Sequence, residues 1–416
     1  MTRVGIIGMG GFAGSHHGAV KSLEAAGACR LVCTCDPAMA EFEEKKEKLS
    51  FAAREVRCYD NYHAMLDACA DELDVVTIPT PIPLHARMHN DCVARGLAVY
   101  VEKPPTLDII ELKSMLEAER NASKLTNVGF NFITEQPRQT LKQRMLAGEF
   151  GAVQEVRYRG LTPRSTGYFS RSGWAGRLMI EQQVVLDSCI GNAMAHNIHN
   201  VLFWCGQDGL LSWGEVTDVS AECYRAHRIQ GMDTVFLQAE TGAGQRIRIA
   251  ASHACAGSEM RGEEVRCENA TVSYVTRGTW CVQHADGRRE EGPTDAQGLL
   301  QRNLGLYFGY VRGDAERPIN RLVDTVPFVE LSGLVYLAAG QIRTVPDEHL
   351  DKSGEDTRRG GHFVRIRGLE QIATRFLEAG EFPSAQGVAW AAPGGRAARS
   401  ELGRLHEVVR GLVAGG

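Results

Sequence analysis

The sequence predicts an α/β domain with a parallel sheet, followed by an α+β domain with a mostly antiparallel sheet. Residues 3–16 read as a short apolar strand that continues into a glycine-rich turn and a helix. Strand and helix patterns then alternate as far as residue 101, which is typical of parallel sheets with helical crossovers. Beyond residue 150, short β-rich segments follow one another closely, which favours antiparallel pairing.

The elements of the first domain follow from the alternation of apolar and amphipathic segments. The predicted strands are 3–8, 30–35, 74–79, 97–101 and 125–132. The predicted helices are 13–27, 38–50, 61–69, 84–95 and a helix of about 106–120 that begins at Thr106. We interpret the charge run at 41–48 as a solvated helix face.

The elements of the second domain are shorter and separated by turn residues. Predicted strands are 153–160, 216–225, 233–240, 245–252, 262–268 and 271–275. Predicted helices are 182–205, 296–312, 323–342 and 364–379. The polar or glycine-rich segments 353–361 and 391–400 are predicted to be exposed loops.

Length and composition limit the possible functions. The 416 residues exceed what one hydrophobic core usually supports, so we expect two domains, 1–125 and 126–416. With 44% hydrophobic and 23% charged residues, the chain has the composition of an ordinary soluble protein. A formal net charge of −5 provides no basic field for nucleic acid or for an anionic membrane. A small-molecule substrate is therefore the favoured partner.

The cysteines and the N-terminus suggest a cellular location. Twelve cysteines lack paired CxxC spacing, and several lie in apolar segments, such as Cys33, Cys35 and Cys189. The first strand begins after two residues, which leaves no signal-peptide pattern, and no stretch reaches the roughly 18 apolar residues of a membrane span. We therefore expect a reduced, cytoplasmic setting.

The first strand, turn and helix carry a dinucleotide-binding fingerprint. Gly8, Gly10 and Ala13 occupy its three small-residue positions, where bulk would block the turn, the pyrophosphate or helix packing. Gly11 and Phe12 complete the turn, and the helix N-terminus after them offers N–H groups to a phosphate. These residues are predicted to bind a dinucleotide cofactor.

Asp36 ends the second predicted strand. It follows Ala13 by roughly the twenty-odd residues that separate the fingerprint from the acid that binds a ribose 2′-hydroxyl. Its carboxylate would repel a 2′-phosphate, so we favour NAD over NADP. The alternative interpretation is a turn residue at a strand end, before Pro37.

Two further segments narrow this interpretation. Thr80 and Pro81 follow the third strand, His85 lies in the next helix, and the sequence Glu102–Lys103–Pro104 ends the following strand. With the fingerprint and the segment NVGFNF, this order resembles the Gfo/Idh/MocA family over about residues 1–132. The resemblance implies a Rossmann domain, a C-terminal domain built on a large, mostly antiparallel sheet, NAD(P), and sugar or cyclitol substrates. It also implies a homo-oligomer, dimer or tetramer, formed by pairing of sheets.

Lys103 is the first candidate catalytic residue. It ends a parallel strand, where catalytic groups gather in open sheets, and a cationic lysine there can stabilise a developing alkoxide. It would contact both cofactor and substrate, while Pro81 and Glu102 would shape the pocket floor. In relatives the peptide bond at Pro104 is often cis. His85 is kept as a cofactor-site candidate, and the alternative for Lys103 is a surface lysine in a proline-rich loop.

The segment 186–203 supplies the second group of candidates. Helical spacing places Asn192, His196 and His199 on one face, so we expect all three near the substrate. By resemblance, His196 matches the family histidine that serves as general base. The family usually has acids where Asn192 and His199 stand, so simple inositol-dehydrogenase chemistry is in doubt. Asp187 could supply the missing charge or could cap the helix.

A loop at 162–176 carries further substrate candidates, namely Arg164, Tyr168, Arg171 and Trp174. Aromatic and guanidinium groups can bind a polyhydroxylated or acidic substrate, although a packing loop or a subunit contact fits equally well. For the remaining polar candidates, His253 and Arg261, we favour solvated positions near turns.

Two histidine pairs invite a metal interpretation, which we do not favour. His85 and His89 are four residues apart, and His196 and His199 are three apart. Neither pair has the glutamate of a zinc-protease helix, and no cluster of further ligands accompanies them. His89 is instead predicted to lie on the outer surface of its helix.

The sequence thus predicts an NAD-dependent oxidoreductase that acts on a secondary alcohol of a sugar, sugar acid or cyclitol. Lys103 would polarise the reacting oxygen, His196 would exchange its proton, and Asn192 would orient one of them. Two alternatives remain: an NAD-assisted lyase or glycoside hydrolase with no net redox change, and a non-catalytic, NAD-responsive regulatory protein.

Overall fold

A computed structural model of the chain describes residues 1–257 and 259–415. Its contacts divide the chain into two compact units. The first contains Met1–Thr106, Ile110–Thr134 and Gln297–Val326, and the second contains Leu107–Ile109, Glu135–Ala296 and Pro327–Gly416. This division differs from the predicted boundary at 125, because residues 126–134 and 297–326 belong to the first unit and residues 107–109 to the second.

The helices and strands are numbered in chain order. The strands are β1 (Thr2–Ile7), β2 (Cys29–Cys35), β3 (Arg57–Tyr59), β4 (Val75–Ile78), β5 (Ala98–Val101), β6 (Asn127–Val128), β7 (Val153–Leu161), β8 (Met179–Ile180), β9 (Gln183–Val184), β10 (Val216–Arg225), β11 (Thr234–Thr241), β12 (Arg246–Ser252), β13 (Met260–Cys267), β14 (Ala270–Val275), β15 (Thr279–His284), β16 (Arg289–Pro293), β17 (Ile342–Thr344), β18 (Leu350–Glu355), β19 (His362–Ile366) and β20 (Arg396–Ala398). The helices are α1 (Ala13–Ala25), α2 (Glu43–Lys48), α3 (Tyr62–Cys69), α4 (His85–Val93), α5 (Ile109–Glu119), α6 (Gln136–Leu146), α7 (Thr166–Phe169), α8 (Ala195–Cys205), α9 (Leu299–Arg312), α10 (Val326–Ala339), α11 (Leu369–Ala379) and α12 (Leu405–Ala414).

The first unit is built on a parallel sheet with the strand order β3-β2-β1-β4-β5-β6. This is the doubly wound dinucleotide-binding order. Successive strands are added to one side of β1 as far as β3 and to its other side from β4 onwards, so the strand order reverses between β1 and β4. Ligands bind in such sheets at the carboxyl ends of the strands beside that reversal. A ligand site is therefore expected among the residues that follow β1, β4 and β5.

Helix α9 explains why a late segment belongs to the first unit. Its residues Leu304, Tyr307 and Phe308 are buried in the same apolar cluster as Val4 and Leu31 of the parallel sheet. Apolar residues on the face of a sheet need a covering layer, and α9 supplies part of it.

Some predicted elements of the first unit differ from the structure. The predicted strand at 125–132 is a strand only at Asn127–Val128, which pairs with β5, and Asn131–Thr134 forms a 3-10 turn. Strand β3 was not predicted, because its three residues, Arg-Cys-Tyr, are all half-buried and show no apolar run. The helix expected to begin at Thr106 begins at Ile109.

The second unit contains a large sheet with the order β16-β15-β14-β13-β7-β12-β11-β10-β17. Neighbouring strands are antiparallel except for β7 with β12 and β10 with β17. The predicted α+β class with a mostly antiparallel sheet is confirmed. Strands β8, β9 and β15–β20 and helices α6, α7 and α12 were not predicted.

Two predicted helices of the second unit are shorter than expected. The segment 182–205 contains strand β9, a π-helical turn at Cys189–Ala193 and then α8. The segment 364–379 begins with the end of β19, and α11 starts only at Leu369. Part of the predicted loop 353–361 belongs to β18.

Helix α11 covers part of one face of the large sheet. Phe376 packs edge-to-face on Phe236 of β11, with ring centroids 5.4 Å apart, and Leu369 and Ala373 are buried in the same cluster. On this part of the sheet, the chain's own helix occupies the place that a second subunit could otherwise take. A homo-oligomer stays a prediction.

Two further findings concern thiols and membrane spans. The twelve cysteines are all free thiols, and ten of them are buried. Among the described residues, no helix combines the length and the apolar character needed to cross a membrane.

Candidate functional site

The glycine turn at the end of β1 has the backbone geometry that its sequence predicts. Gly8 has φ +122° and Gly11 has φ +52°, values that side chains disfavour. The Gly8 amide donates to the Cys35 carbonyl, 2.7 Å away, which ties the turn to the end of β2. The turn is thus held at the carboxyl ends of two neighbouring strands.

The amides that follow can receive a phosphate. Helix α1 begins at Ala13, and its N-cap residue Phe12 makes no capping bond with its side chain. Within the described residues, the amides of Gly11 and Phe12 donate to no acceptor. Free N–H groups at a helix N-terminus bind phosphate, so this turn fits the pyrophosphate of a dinucleotide.

Asp36 braces the glycine turn. Its Oδ2 atom accepts from the amides of Met9 at 2.8 Å and Gly10 at 3.3 Å, and Oδ1 accepts from the Ala38 amide. The carboxylate is therefore beside the turn, as the fingerprint requires. Its contact with a ribose hydroxyl stays a prediction.

Lys45 of α2 is a site residue that the sequence analysis missed. Its ammonium donates to the Met9 carbonyl and lies 3.0 Å from the position that a Cβ on Gly14 would occupy. Burial lowers the pKa of Lys45, and the Asp36 carboxylate opposes that effect. The charge run at 41–48 was interpreted as a solvated face, and one of its lysines instead reaches the turn.

The segments after β4 and β5 meet at His85. Its Nδ1 atom lies 2.9 Å from the Pro104 carbonyl oxygen and its Nε2 atom 2.8 Å from the Thr80 carbonyl oxygen. Thr80 is also beside the glycine turn, with its methyl carbon 3.8 Å from the Cβ position of Gly8. Pro81 begins the short turn that leads into α4. His85 therefore joins the segment near the turn to the segment that carries Lys103.

Lys103 follows β5 and is half-buried, and its peptide bond to Pro104 is cis. The neighbouring Glu102 is buried, with one carboxylate oxygen accepting from the Lys103 amide and the other 2.9 Å from Nε2 of His16. Glu102 thus ties α1 to the end of β5. His16 was not predicted, because its place in the first turn of α1 was its only signal in the sequence.

His89 contradicts the prediction that it lies on an outer surface. It is fully buried, with Nε2 2.8 Å from the Thr126 hydroxyl and Nδ1 2.9 Å from the Asn90 side chain. Both ring nitrogens have protein partners, which also argues against a metal ligand. Burial lowers the pKa of His89 to about 4, and burial likewise lowers that of His17 to about 4.

The lowered pKa values of His89 and His17 predict that the folded protein loses stability in acid. Unfolded histidines have a pKa of about 6.5, so between that pH and pH 4 the unfolded chain binds protons that the folded chain does not. The free energy of unfolding should therefore fall as the pH falls, by about 2 kcal/mol per histidine between pH 7 and 5. His89→Gln should make the fall in unfolding free energy between pH 7 and 5 smaller by about 2 kcal/mol, as measured by urea titrations at the two pH values. His63→Gln, at an exposed histidine, should leave the drop unchanged.

In the second unit, Asn192 and His196 are half-buried and Asp187 is buried. Asn192 lies in the π-helical turn and donates to Oδ1 of Asp187 at 2.9 Å, while Oδ2 of Asp187 accepts from the Gly176 amide at 2.6 Å. His196 is the second residue of α8. Of the two proposed roles for Asp187, the helix cap belongs instead to Ser188, and the carboxylate lies beside Asn192.

His199 occupies a different environment. It is fully buried, its ring stacks on Trp213 at 4.9 Å, and burial holds its pKa well below the ordinary value. The π-helical turn and Met194 interrupt the helix between Asn192 and His196, so the three residues do not form one continuous helical face. A substrate contact for His199 stays a prediction, and the structure shows it as part of an aromatic core.

Buried charges fix α8 in place. Glu263 of β13 accepts from Asn197, Asn200 and Trp204 of the helix, at 2.7–3.2 Å. At the other end, the buried ammonium of Lys142 donates to the carbonyls of Phe203 and Gly206, which satisfies the helix C-terminus. Burial lowers the pKa of Lys142 to about 8. These contacts hold the helix that carries His196.

The loop at 162–176 is well anchored. Tyr168 is buried, and Arg164 is paired with Glu259 at 2.8 Å. Arg171 lies over the Tyr168 ring and 5.2 Å from the half-buried ring of Trp174. Substrate binding by these residues stays a prediction.

The predicted solvated positions of His253 and Arg261 were wrong. His253 is buried under the loop with Nδ1 2.8 Å from the Thr162 carbonyl oxygen, and burial lowers its pKa to about 3. The Arg261 side chain is only 15% exposed and pairs with Glu259 at 3.2 Å.

One group of side chains has the spacing of a metal site, namely Glu149, His284 and Glu290. Arg144 pairs with both carboxylates, at 2.5 and 2.9 Å. Because Arg144 pairs with both acids and Arg288 also pairs with Glu290, the cluster is explained as an ion-pair network.

Comparison with known families decides what the first unit is. Residues 2–130 match the model of the oxidoreductase family GFO_IDH_MocA, described as an NAD-binding Rossmann fold. The N-terminal domain belongs to the Gfo/Idh/MocA family. This confirms the resemblance stated above, the Rossmann fold class and NAD as the class of cofactor.

Curated proteins match part of the chain. The scyllo-inositol 2-dehydrogenase (NAD(+)) of Bacillus subtilis is 30% identical over 133 residues, which cover 32% of this chain and 36% of the relative. A glycosyl hydrolase family 109 protein of Shewanella amazonensis is 28% identical over 169 residues, 38% of this chain and 36% of the relative. The chain thus aligns with little more than a third of either length.

A solved structure is similar over both units. The WlbA dehydrogenase from Bordetella pertussis, solved in complex with NADH and UDP-GlcNAcA, has a TM-score of 0.64 at 20% identity. The similarity covers 80% of this chain and 95% of that one. At such identity it shows a shared fold, and the function must be argued from the site.

Proposed function

We propose that the protein is an NAD-dependent oxidoreductase that acts on a secondary alcohol of a sugar, sugar acid or cyclitol. The observation that carries this proposal is Lys103 at the carboxyl end of β5, in a segment that His85 ties to the region of the glycine turn. The named relative from Bacillus subtilis acts on an inositol and the Bordetella enzyme was solved with a sugar nucleotide, which supports this class of substrate.

The cofactor site would use groups already described. The amides of Gly11 and Phe12 would bind the pyrophosphate, Gly8 and Gly10 would leave room for it, and Asp36 would bind the adenosine ribose. When bound, the nicotinamide supplies the hydride acceptor for an alcohol or the hydride donor for a ketone.

The chain's own residues would manage the hydroxyl proton. The Lys103 ammonium would donate a hydrogen bond to the reacting oxygen and stabilise the charge that develops there. His196 would take the proton as a general base, and Asn192, held by Asp187, would orient the oxygen or the imidazole. His199 has no step in this mechanism, because its ring packs against Trp213.

The proposal is tested by two measurements on the full chain. Calorimetry should show NAD binding, and a panel of polyols, sugar acids and cyclitols should include substrates that form NADH in step with product. An absence of dinucleotide binding would exclude the proposal.

Asp36 offers a test of the cofactor preference. Asp36→Ser removes the carboxylate that would repel a 2′-phosphate, and the nearby Lys45 ammonium remains. We expect the ratio of kcat/KM for NADP to that for NAD to rise by about tenfold or more, equivalent to about 1.4 kcal/mol. Asp60→Ser, at an exposed aspartate in the same unit, should leave the ratio unchanged. An equal loss with both cofactors would assign Asp36 a purely structural role.

The match to a glycosyl hydrolase family 109 protein favours one alternative, NAD-assisted glycoside cleavage or elimination without net redox change. Product would then form without a matching change in nicotinamide absorbance. Assaying aryl glycosides and polyols side by side, with absorbance and product measured together, separates the two functions.

Two further proposals concern assembly and location. We propose a homo-oligomer on the basis of the family resemblance. Native mass spectrometry would test it. The free thiols support a reduced, cytoplasmic setting.

A further inference from the structure

Three arginines surround Tyr168 in the second unit. The guanidinium carbons of Arg171, Arg164 and Arg359 lie 3.7, 5.2 and 5.3 Å from the centre of its ring. Arg164 is paired with Glu259. Arg171 and Arg359 are exposed, and neither forms an ion pair with any residue that the structure describes.

The position of Arg359 is set by contacts between the β18–β19 hairpin and α7. One oxygen of Asp356 accepts from the Arg359 amide at 3.1 Å, and the other accepts from the Ser165 hydroxyl at 2.6 Å. Gly167 has no space for a Cβ, which would collide with the carbonyl oxygens of Arg359 and Gly360. The hairpin tip and α7 are therefore packed backbone against backbone.

Two further rings, those of Phe169 and His227, support the Tyr168 ring. It contacts Phe169 edge-to-face at 5.1 Å, and Phe169 contacts the buried His227 ring at 4.8 Å. Both nitrogens of His227 have partners, the Asp233 carboxylate at 2.8 Å and the Arg164 carbonyl oxygen at 3.0 Å. The arginines thus lie around a ring that cannot easily turn.

The same loop is linked to the predicted catalytic segment. Asp187 accepts from the Gly176 amide with one oxygen and from the Asn192 side chain with the other. The loop that carries Arg171 therefore adjoins the segment that carries Asn192 and, four residues later, His196.

We propose that Arg171 and Arg359 bind an anionic group of the substrate, a carboxylate or a phosphate. Two like charges beside one ring repel each other, and an anion between them removes the repulsion and gains charge-assisted hydrogen bonds. This anion site rests on the proposed function. It narrows the proposed substrates to polyhydroxylated acids, in preference to neutral sugars and cyclitols.

Binding measurements test this without requiring turnover. The full chain, saturated with NAD, is titrated calorimetrically with gluconate against sorbitol and with glucose 6-phosphate against glucose. We expect the acid of at least one pair to bind at least tenfold more tightly than its neutral partner, and less tightly as salt is added. The pair that shows the preference distinguishes carboxylate from phosphate. No preference in either pair overturns the proposal.

Variants locate the site. Arg359→Gln and Arg171→Gln should each weaken binding of the preferred acid tenfold or more and leave binding of the neutral partner unchanged. Arg358→Gln, at the exposed neighbour in the same hairpin tip, should keep wild-type affinity. An equal loss in Arg358→Gln would show a general charge effect and would contradict the assignment. Acid binding without any NADH formation would retain this site while excluding the proposed oxidoreductase.

Discussion

Lys103→Met should lower kcat by about 10²- to 10⁴-fold and leave NAD affinity within about twofold of the wild type. Methionine keeps most of the side-chain volume but cannot donate a hydrogen bond to the reacting oxygen. The backbone contacts of the segment, from the Lys103 amide to Glu102 and from His85 to the Pro104 carbonyl, do not involve the ammonium. Steady-state kinetics and NAD calorimetry measure the two quantities separately.

A matched control is Lys113→Met on the exposed side of α5 in the same unit. It should keep both kcat and NAD affinity. If Lys103→Met instead lost NAD binding and turnover to the same extent, Lys103 would be a cofactor ligand and the proposed role at the reacting oxygen would be wrong.

Arg138→Met should lower the free energy of unfolding by about 3–5 kcal/mol. The Arg138 guanidinium is fully buried between two carboxylates, bonded to Glu135 at 2.9 Å and to Glu263 at 2.5 Å. It also lies 4.1 Å from the centre of the Tyr274 ring. Its removal leaves two buried carboxylates without a cation, which costs far more than the lost contacts. Urea unfolding monitored by tryptophan fluorescence measures the change.

Arg144→Met provides the control on the same helix, because that guanidinium is partly exposed and exposed ion pairs contribute about 1 kcal/mol or less. Adding Glu263→Gln to Arg138→Met should recover part of the stability by removing one uncompensated charge. No recovery would indicate that the packing of Arg138 against aromatic rings, rather than its charge, is what matters.

The Arg138 network also contacts α8, the helix that carries His196. Glu263 accepts from three residues of that helix as well as from Arg138, so loss of the arginine changes the acceptor that holds the helix. The electrostatic contacts of one buried acid connect the stability of the second unit to the placement of its candidate base.

The first unit was largely predictable because its signals are local. A strand, a glycine turn and a helix follow one another within residues 2–25, and Gly8 has the positive φ that only its residue type tolerates easily. The apolar runs that became β1, β2, β4 and β5 are buried on both faces, which makes them visible as continuous hydrophobic segments.

Predictions failed where partners far along the chain decide the environment. His89 is buried with a hydrogen-bond partner at Thr126, and His253 is buried with one at Thr162. No local sequence pattern reveals either partner. Periodicity also suggested one long helix at 182–205, although a hairpin strand and a π-helical turn interrupt it. Periodicity reports which residues are apolar, and it does not report where hydrogen bonding changes register.

The amino-acid order alone was enough to establish a Rossmann domain for NAD, its glycine turn and the position of Lys103 after a parallel strand. Those features depend on residue type and on neighbours within a few positions. The contacts of His85 with Pro104, of Lys45 with Met9 and of Arg359 with Tyr168 could be recognised only after folding, because each joins residues that are distant in sequence. Side-chain hydrogen bonding and charge pairing act over a few ångströms in space, and only the packed chain brings such groups within that range.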